Sequence, residues 1–221
     1  MKTAVFDLDG TIVDTSRDLI DGANLALCRV GIGEMLDADR DRLTAFQGGR
    51  AMLRLGFTRA GMSERVNERI DTEYQHFLAD YESVISRHSF LYPGAEAALA
   101  DLAGEGWRLA VCTNKPERLA RILLQDLDFL DRFDALIGAD TLTVRKPEPE
   151  PLWHAIACAG GHREQAFFVG DSEMDALTAR AAGIPSVLVS FGPEGDAVKR
   201  YSPDALLPHF DELPGIAARI C

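Results

Sequence analysis

The sequence is short of cationic charge. Lys and Arg number 23 against 35 Asp and Glu, giving a formal net charge of −12 at pH 7. A nucleic-acid or anionic-membrane partner calls for a basic footprint, so neither is expected. Cysteine is equally sparse. Cys28, Cys112, Cys158 and Cys221 form no CxxC pair and no metal-finger spacing. They are expected as reduced thiols in a cytoplasmic protein. Cys28, Cys112 and Cys158 lie among apolar neighbours and are expected to pack inside. No apolar run is long enough to span a bilayer, and no signal-peptide segment follows Lys2. Repeats and low-complexity tracts are also missing. There remains an ordinary globular composition over 221 residues, enough for a sizeable core and one or two domains. A site for an anionic substrate would have to supply its own positive charge against the overall field.

The most informative stretch is Ala4-Val5-Phe6-Asp7-Leu8-Asp9-Gly10-Thr11. Thr3 to Phe6 reads as a short buried strand. Asp7 then stands at its C-terminal end, where ligands bind in open α/β sheets. Leu8 points away, so Asp7 and Asp9 share one side while the chain stays extended. Gly10 permits a sharp bend. Two carboxylates at one strand mouth repel unless a cation or proton lies between them, and hard divalent cations take oxygen ligands.

Beyond this stretch the strand signal disappears. Thr15 or Ser16 opens a helix with Leu19, Ala23, Leu27 and Val30 on one face, stopped at Gly31. Further helices are expected over 39–46, 50–60 and 63–84, the last with a stripe of Val66, Ile70, Tyr74, Phe77 and Tyr81. After Tyr92-Pro93-Gly94 the texture alternates. Strands are expected at 3–6, 108–112, 134–139, 166–170 and 185–190, with helices between them and a last one over 211–220. Such alternation implies a doubly wound parallel sheet, a Rossmann-like α/β core. The expected domains are therefore a core of residues 1–15 and 87–221 and an inserted all-helical cap of 16–86. The cap would act as a lid over the strand mouths, with hinges near 14–16 and 87–92.

A parallel sheet brings the polar strand ends to one edge: Asp7 and Asp9, Thr113 and Asn114, and Asp171. Lys146 arrives there on the loop before a helix, and Asp175 lies one helical turn beyond Asp171. This set fits phosphoryl transfer through an aspartyl-phosphate. Asp7 is the expected nucleophile. A Mg²⁺ held by Asp7, Asp171 and a backbone carbonyl would bridge it to the phosphate. Asp9 would protonate the leaving oxygen and then activate water. Thr113 and Asn114 would hold phosphate oxygens, and Lys146 would supply charge in the transition state. Asp175 is either a metal ligand or a residue that orients one.

Four segments together resemble the haloacid dehalogenase superfamily: Asp7-Leu8-Asp9-Gly10-Thr11, Thr113-Asn114, Lys146-Pro147 and Gly170-Asp171-Ser172-Glu173-Met174-Asp175. Asp14-Thr15, Thr113-Asn114-Lys115-Pro116 and Lys146-Pro147-Glu148-Pro149-Glu150-Pro151 are similar to its phosphoglycolate phosphatase branch. The resemblance implies a Mg²⁺-dependent phosphatase of a small phosphorylated metabolite, acting as a monomer or homodimer. Its metal would be bound by Asp7, the Asp9 carbonyl and Asp171. The resemblance also implies that Arg50, in Gln47-Gly48-Gly49-Arg50, reaches a substrate carboxylate from the cap. Lys115 is a second candidate for that anionic end. Glu173 and Met174 depart from the Arg/Asn type of residue often found in the fourth segment, which bears on substrate choice. A sugar-phosphate phosphatase and a phosphoglucomutase-type phosphotransferase keep the same chemistry. A phosphoacceptor switch without turnover would be shorter and lack the insertion. A phosphonate-cleaving relative would need a cap lysine, and residues 16–86 contain none.

Overall fold

The computed structural model describes residues 1–221. Its centre is β1, Thr3–Phe6, with all four residues buried. Covered on both faces, a parallel strand has no polar side to present, which is why this run does not alternate. The chain then turns through β2, Val13–Asp14, into four helices: α1 (Ser16–Arg29), α2 (Arg42–Phe46), α3 (Gly49–Arg59) and α4 (Val66–Glu82). It returns through β3, Phe90–Leu91, which pairs with β2. The rest alternates: α5 (Ala95–Gly104), β4 (Arg108–Cys112), α6 (Glu117–Asp126), β5 (Ala135–Ile137), α7 (Glu150–Cys158), β6 (Ala166–Gly170), α8 (Glu173–Ala182), β7 (Ser186–Val189), β8 (Ala205–Leu207) and α9 (Leu213–Ile220).

Six strands form one parallel sheet in the order β5-β4-β1-β6-β7-β8. Thr3 stands in register with Arg108 on one side and Ala166 on the other. The chain leaves β1 toward β4 and β5, then crosses to β6. The order thus reverses at β1, and the crevice of such a switch point opens at the strand's C-terminal end. One face of the sheet packs Val5, Ala110, Ile137 and Phe168 against Leu152, Ala155 and Ile156 of α7 and Ala179 of α8. No helix is long and apolar enough to cross a membrane.

The chain divides into two compact units: Met1–Val13 with Leu91–Cys221, and Asp14–Phe90. Texture alone places the changes at 15/16 and 86/87. In the helical unit, α1 and α4 approach closely at Gly22, where a Cβ would lie 2.7 Å from the Tyr81 Cα. Asp18, in the first turn of α1, is fully buried. It accepts hydrogen bonds from the His88 and Ser89 backbone N–H groups and from the Ser89 hydroxyl. The returning chain is therefore tied to the start of the outgoing helix.

Several expectations are corrected. Val30 is 39% exposed, because α1 ends at Arg29 and the chain turns at Gly31. Of the α4 stripe, Ile70, Phe77 and Tyr81 are buried, whereas Val66 and Tyr74 are only partly covered. The helix expected from residue 39 begins at Arg42. Asp37 accepts from the N–H groups of Asp39 and Arg40, and Asp41 accepts from that of Asp37, so short acidic side chains hold a turn there. Cys112 is buried, but Cys28 and Cys158 are exposed. Apolar sequence neighbours do not fix which way a helical residue points. All four cysteines are free. Strand β8 was not expected; three residues between Pro203 and Pro208 carry no periodic signal.

Candidate active site

Asp7 continues the line of β1: its N–H donates to Val169 O at 2.8 Å. The chain then folds back on itself. Gly10 takes a φ of 84°, and the N–H groups of Thr11, Ile12 and Val13 converge on Leu8 O. This turn carries Thr11 to β6, where its hydroxyl donates to Asp171 Oδ1 at 3.2 Å.

Asp171 follows β6, and Ser172 caps α8 in a reciprocal capping box with Asp175. The Asp175 carboxylate is fully engaged. Its Oδ2 accepts from the N–H groups of Asp171 and Ser172 and from Ser172 Oγ, at 3.2, 3.1 and 2.6 Å. Its Oδ1 accepts from Lys146 Nζ at 2.6 Å. Gly170 makes room for this arrangement, since a Cβ there would overlap the Asp175 carboxylate.

Lys146 is buried and lies on the loop between β5 and α7. Its ammonium is 2.9 Å from Asp7 Oδ1. That contact is an ion pair, and no other group donates to the buried Asp7 Oδ1. The Asn114 amide donates to Lys146 O at 3.1 Å, tying the loop to the end of β4. Thr113 is buried, and its hydroxyl accepts from Lys115 N–H at 3.2 Å. Lys115 Nζ in turn lies 3.0 and 3.3 Å from the two oxygens of Asp9.

Carboxylate oxygens of Asp7, Asp171 and Asp175 lie within 4.8 Å of one another, and all three residues are buried. Burial pushes Asp7 up from 3.8 to about 6, against the pull of Lys146 and with further push from Asp175 and Asp9. Burial, then the charges of Asp175 and Asp7, hold Asp171 well above the ordinary carboxylate range. Asp175 and Asp7 outweigh burial at Lys146 and keep its ammonium charged. The neighbouring Cys112 thiol is pushed up to about 12 by burial, which leaves it unreactive.

The structure therefore gathers Asp7, Asp171, Asp175 and Lys146, with Asp9 and Lys115 paired beside them. Asn114 is turned to the Lys146 backbone. Arg50 belongs to the helical unit, where it pairs with Asp71 and lies 5.6 Å from the Tyr74 ring centroid. Sequence reasoning placed Thr11, Gly170 and Ser172 within the four segments but gave none of them a role of its own. Ser172-x-x-Asp175 is a capping-box pattern and was readable as such. The contact from Thr11 to Asp171 spans 160 residues and leaves no local signal.

A model of the haloacid dehalogenase-like hydrolases matches residues 4–189. The chain belongs to the haloacid dehalogenase-like hydrolases. This is the family that the four segments resemble. Among this family, a phosphoglycolate phosphatase of Cereibacter sphaeroides is 38% identical over 221 residues, covering 100% of this chain and 99% of the relative. A solved structure described as a predicted phosphoglycolate phosphatase, from Haemophilus somnus, is 25% identical with a TM-score of 0.78 and covers 98% of this chain and 97% of its own. A structure from Thermotoga maritima assumed to be a beta-phosphoglucomutase is 21% identical with a TM-score of 0.76, covering 100% of both chains. The last likeness is one of fold alone.

Proposed function

We propose that this hydrolase is a Mg²⁺-dependent phosphomonoesterase that works through an aspartyl-phosphate, with 2-phosphoglycolate as its substrate. The observation that carries the reading is Asp7. Its buried Oδ1 meets the Lys146 ammonium at 2.9 Å, it sits at the end of the central strand, and two further buried carboxylates lie beside it. Three such groups face the single ammonium of Lys146, and the excess of negative charge is unfavourable unless further cationic charge joins them. The donor set is all oxygen, which suits a hard divalent cation. Asp7, Asp171 and the Asp9 carbonyl are the groups assigned to hold it. Asp175 has both oxygens engaged, so its assigned role is to orient Lys146 and the Asp171 turn. A bound Mg²⁺ would lower the repulsion between Asp7 and the phosphate.

In the first step an Asp7 carboxylate oxygen bonds to phosphorus and the ester P–O bond breaks. Asp9 gives its proton to the departing alkoxide. In the second step Asp9 takes a proton from water, the water oxygen bonds to phosphorus, and the acyl-phosphate P–O bond breaks. Asp7 is restored and inorganic phosphate leaves. Lys146 and Thr113 are assigned to the equatorial oxygens; Asn114 holds the Lys146 loop and lies close enough in sequence to share that role. The helical unit, residues 14–90, is assigned the role of a cap, with Arg50 as its candidate partner for the substrate carboxylate.

The test is phosphate release from 2-phosphoglycolate and a panel of sugar phosphates with Mg²⁺, with Asp7→Asn and chelator as controls. A kcat/KM preference for 2-phosphoglycolate is expected. Broad, weak release would keep the chemistry and assign the helical unit to another substrate. No release, with a persistent phosphoenzyme, would favour a phosphotransferase or a switch.

A further inference from the structure

We propose that Lys115 is a specificity-determining residue that shares its ammonium between Asp9 and a second anionic group on the substrate. The inference rests on the phosphatase reading above and concerns the same site. One contact motivates it. Both oxygens of the Asp9 carboxylate face a single ammonium, at 3.0 and 3.3 Å. The Lys115 side chain is 3% exposed. Lysine is almost never buried to this degree unless it is paired.

The backbone delivers this side chain from a fixed turn. Lys115 N–H donates to Thr113 Oγ1 at 3.2 Å, and its carbonyl accepts from Ala139 N–H at 3.0 Å. Pro116 follows, and the first N–H of α6, at Glu117, is capped by Asp140 Oδ1 at 2.8 Å. Thr113, the residue assigned to a phosphate oxygen, is therefore bonded to the backbone that carries the Asp9 partner. The phosphate position and the ammonium position are coupled through two residues of chain.

Charge explains why sharing matters. Asp7, Asp9, Asp171 and Asp175 face Lys115 and Lys146, four carboxylates against two ammoniums. Lys146 is held between Asp175 and Asp7, and moving it would strip two buried carboxylates at once. Lys115 faces Asp9 at 3.0 and 3.3 Å, on a stem with three rotatable donors. An incoming carboxylate therefore meets less resistance at Lys115 than at Lys146. As the ammonium turns toward it, the two-oxygen contact of Lys115 with Asp9 loosens, and the Asp9 carboxyl can turn to the leaving-group oxygen. A substrate lacking the second anionic group leaves Asp9 held where it is.

The test uses a matched pair. 2-Phosphoglycolate and ethyl phosphate have the same backbone and differ at the far end, a carboxylate against a methyl. Wild type, Lys115→Met and Lys115→Arg are compared with Mg²⁺, with kcat and KM taken separately and folding checked by thermal melt. Lys115→Met is expected to lose roughly 10- to 100-fold of the preference for 2-phosphoglycolate, the size of one charge-assisted hydrogen bond, through a higher KM for that substrate and a smaller kcat gap between the two esters, since the Lys115 hold on Asp9 is then gone for both. Lys115→Arg is expected to recover most of it. A second arm does not depend on turnover or on the Met variant folding. Asp9→Asn removes the competing carboxylate, so calorimetric binding should favour 2-phosphoglycolate over ethyl phosphate by more than in wild type, and adding Lys115→Met should erase that gain. Equal losses on both substrates would overturn the proposal and leave Lys115 as a holder of Asp9 only. An unchanged binding ratio in Asp9→Asn would overturn the sharing. If wild type releases phosphate from neither ester nor from sugar phosphates, it is the phosphatase reading that falls.

Discussion

Replacing Asp7 by Asn should stop turnover and, in chelator, make the protein more stable. The isosteric amide keeps an oxygen for Lys146 but removes one charge from the buried set of Asp7, Asp171 and Asp175. Burial raises Asp7 from 3.8 to about 6. Ionised Asp7 is therefore less favourable in the fold than in the unfolded chain. At about 1.4 kcal/mol for each tenfold in proton affinity, this amounts to roughly 3 kcal/mol against the metal-free fold at pH 7.5. The penalty is full above about 6 and vanishes below about 4, where Asp7 is protonated in both states. Asp7→Asn should thus raise Tm in EDTA at pH 7.5, by up to about 6–12 °C for a chain of this size. The gain should shrink to near zero by about pH 4. With Mg²⁺ at about 100 times its Kd the wild type gains about 2.7 kcal/mol, and the advantage should narrow or reverse. The assay is a pair of thermal melts at each pH, alongside phosphate release. A variant less stable than wild type in EDTA at pH 7.5 would show that ionised Asp7 does not strain the metal-free fold, and a tenth of wild-type activity retained would show that Asp7 is not the nucleophile.

Gly170→Ala should abolish activity at a cost of a few kcal/mol in stability, because the new methyl displaces the Asp175 carboxylate; retained phosphate release would contradict the role of Asp175. Lys146→Met leaves Asp7 and Asp175 buried without their cation and should destabilise the metal-free protein by about 3–5 kcal/mol in urea unfolding. Asp18→Ala removes the acceptor for His88 N–H and for both donors of Ser89, which should cost roughly 2–4 kcal/mol and speed amide exchange at those two residues. At Asp14, burial works to raise the carboxyl, but hydrogen bonds from Ser16 and Arg42 outweigh it and hold it below its ordinary value. Its contribution to stability is present above about pH 4 and is lost as pH falls through its lowered folded value, so Asp14→Asn should be destabilising at pH 7 and progressively less so on acidification.

Much of the architecture was legible because it follows from local periodicity. The run Thr3–Phe6 and the alternation after Tyr92 predict a parallel sheet, since only a strand covered on both faces is apolar without alternating. Elements without a period escaped. Strand β8 is three residues between prolines, and the start of α2 was lost to the Asp37 and Asp41 turn. Val30, Cys28 and Cys158 show the same limit from another side. Apolar character names a candidate for burial, while helix phase and helix ends decide its exposure.

The residue types at the strand ends were determined by sequence alone: Asp7 and Asp9 after β1, Thr113 after β4, Asp171 after β6, and Lys146 on a loop between strands. Strand direction in a parallel sheet carries them to one edge whatever their separation along the chain. How they divide the charge was decided only by the tertiary structure. Lys146 bridges Asp175 and Asp7, and Lys115 takes Asp9. Asn114 turns to backbone, and Thr11 reaches Asp171 at the end of the neighbouring strand. These pairings depend on distances of about 3 Å between residues up to 160 positions apart. Electrostatic and hydrogen-bond energies fall off over such short spans, so no pattern in the sequence can specify them before the fold has brought the groups together.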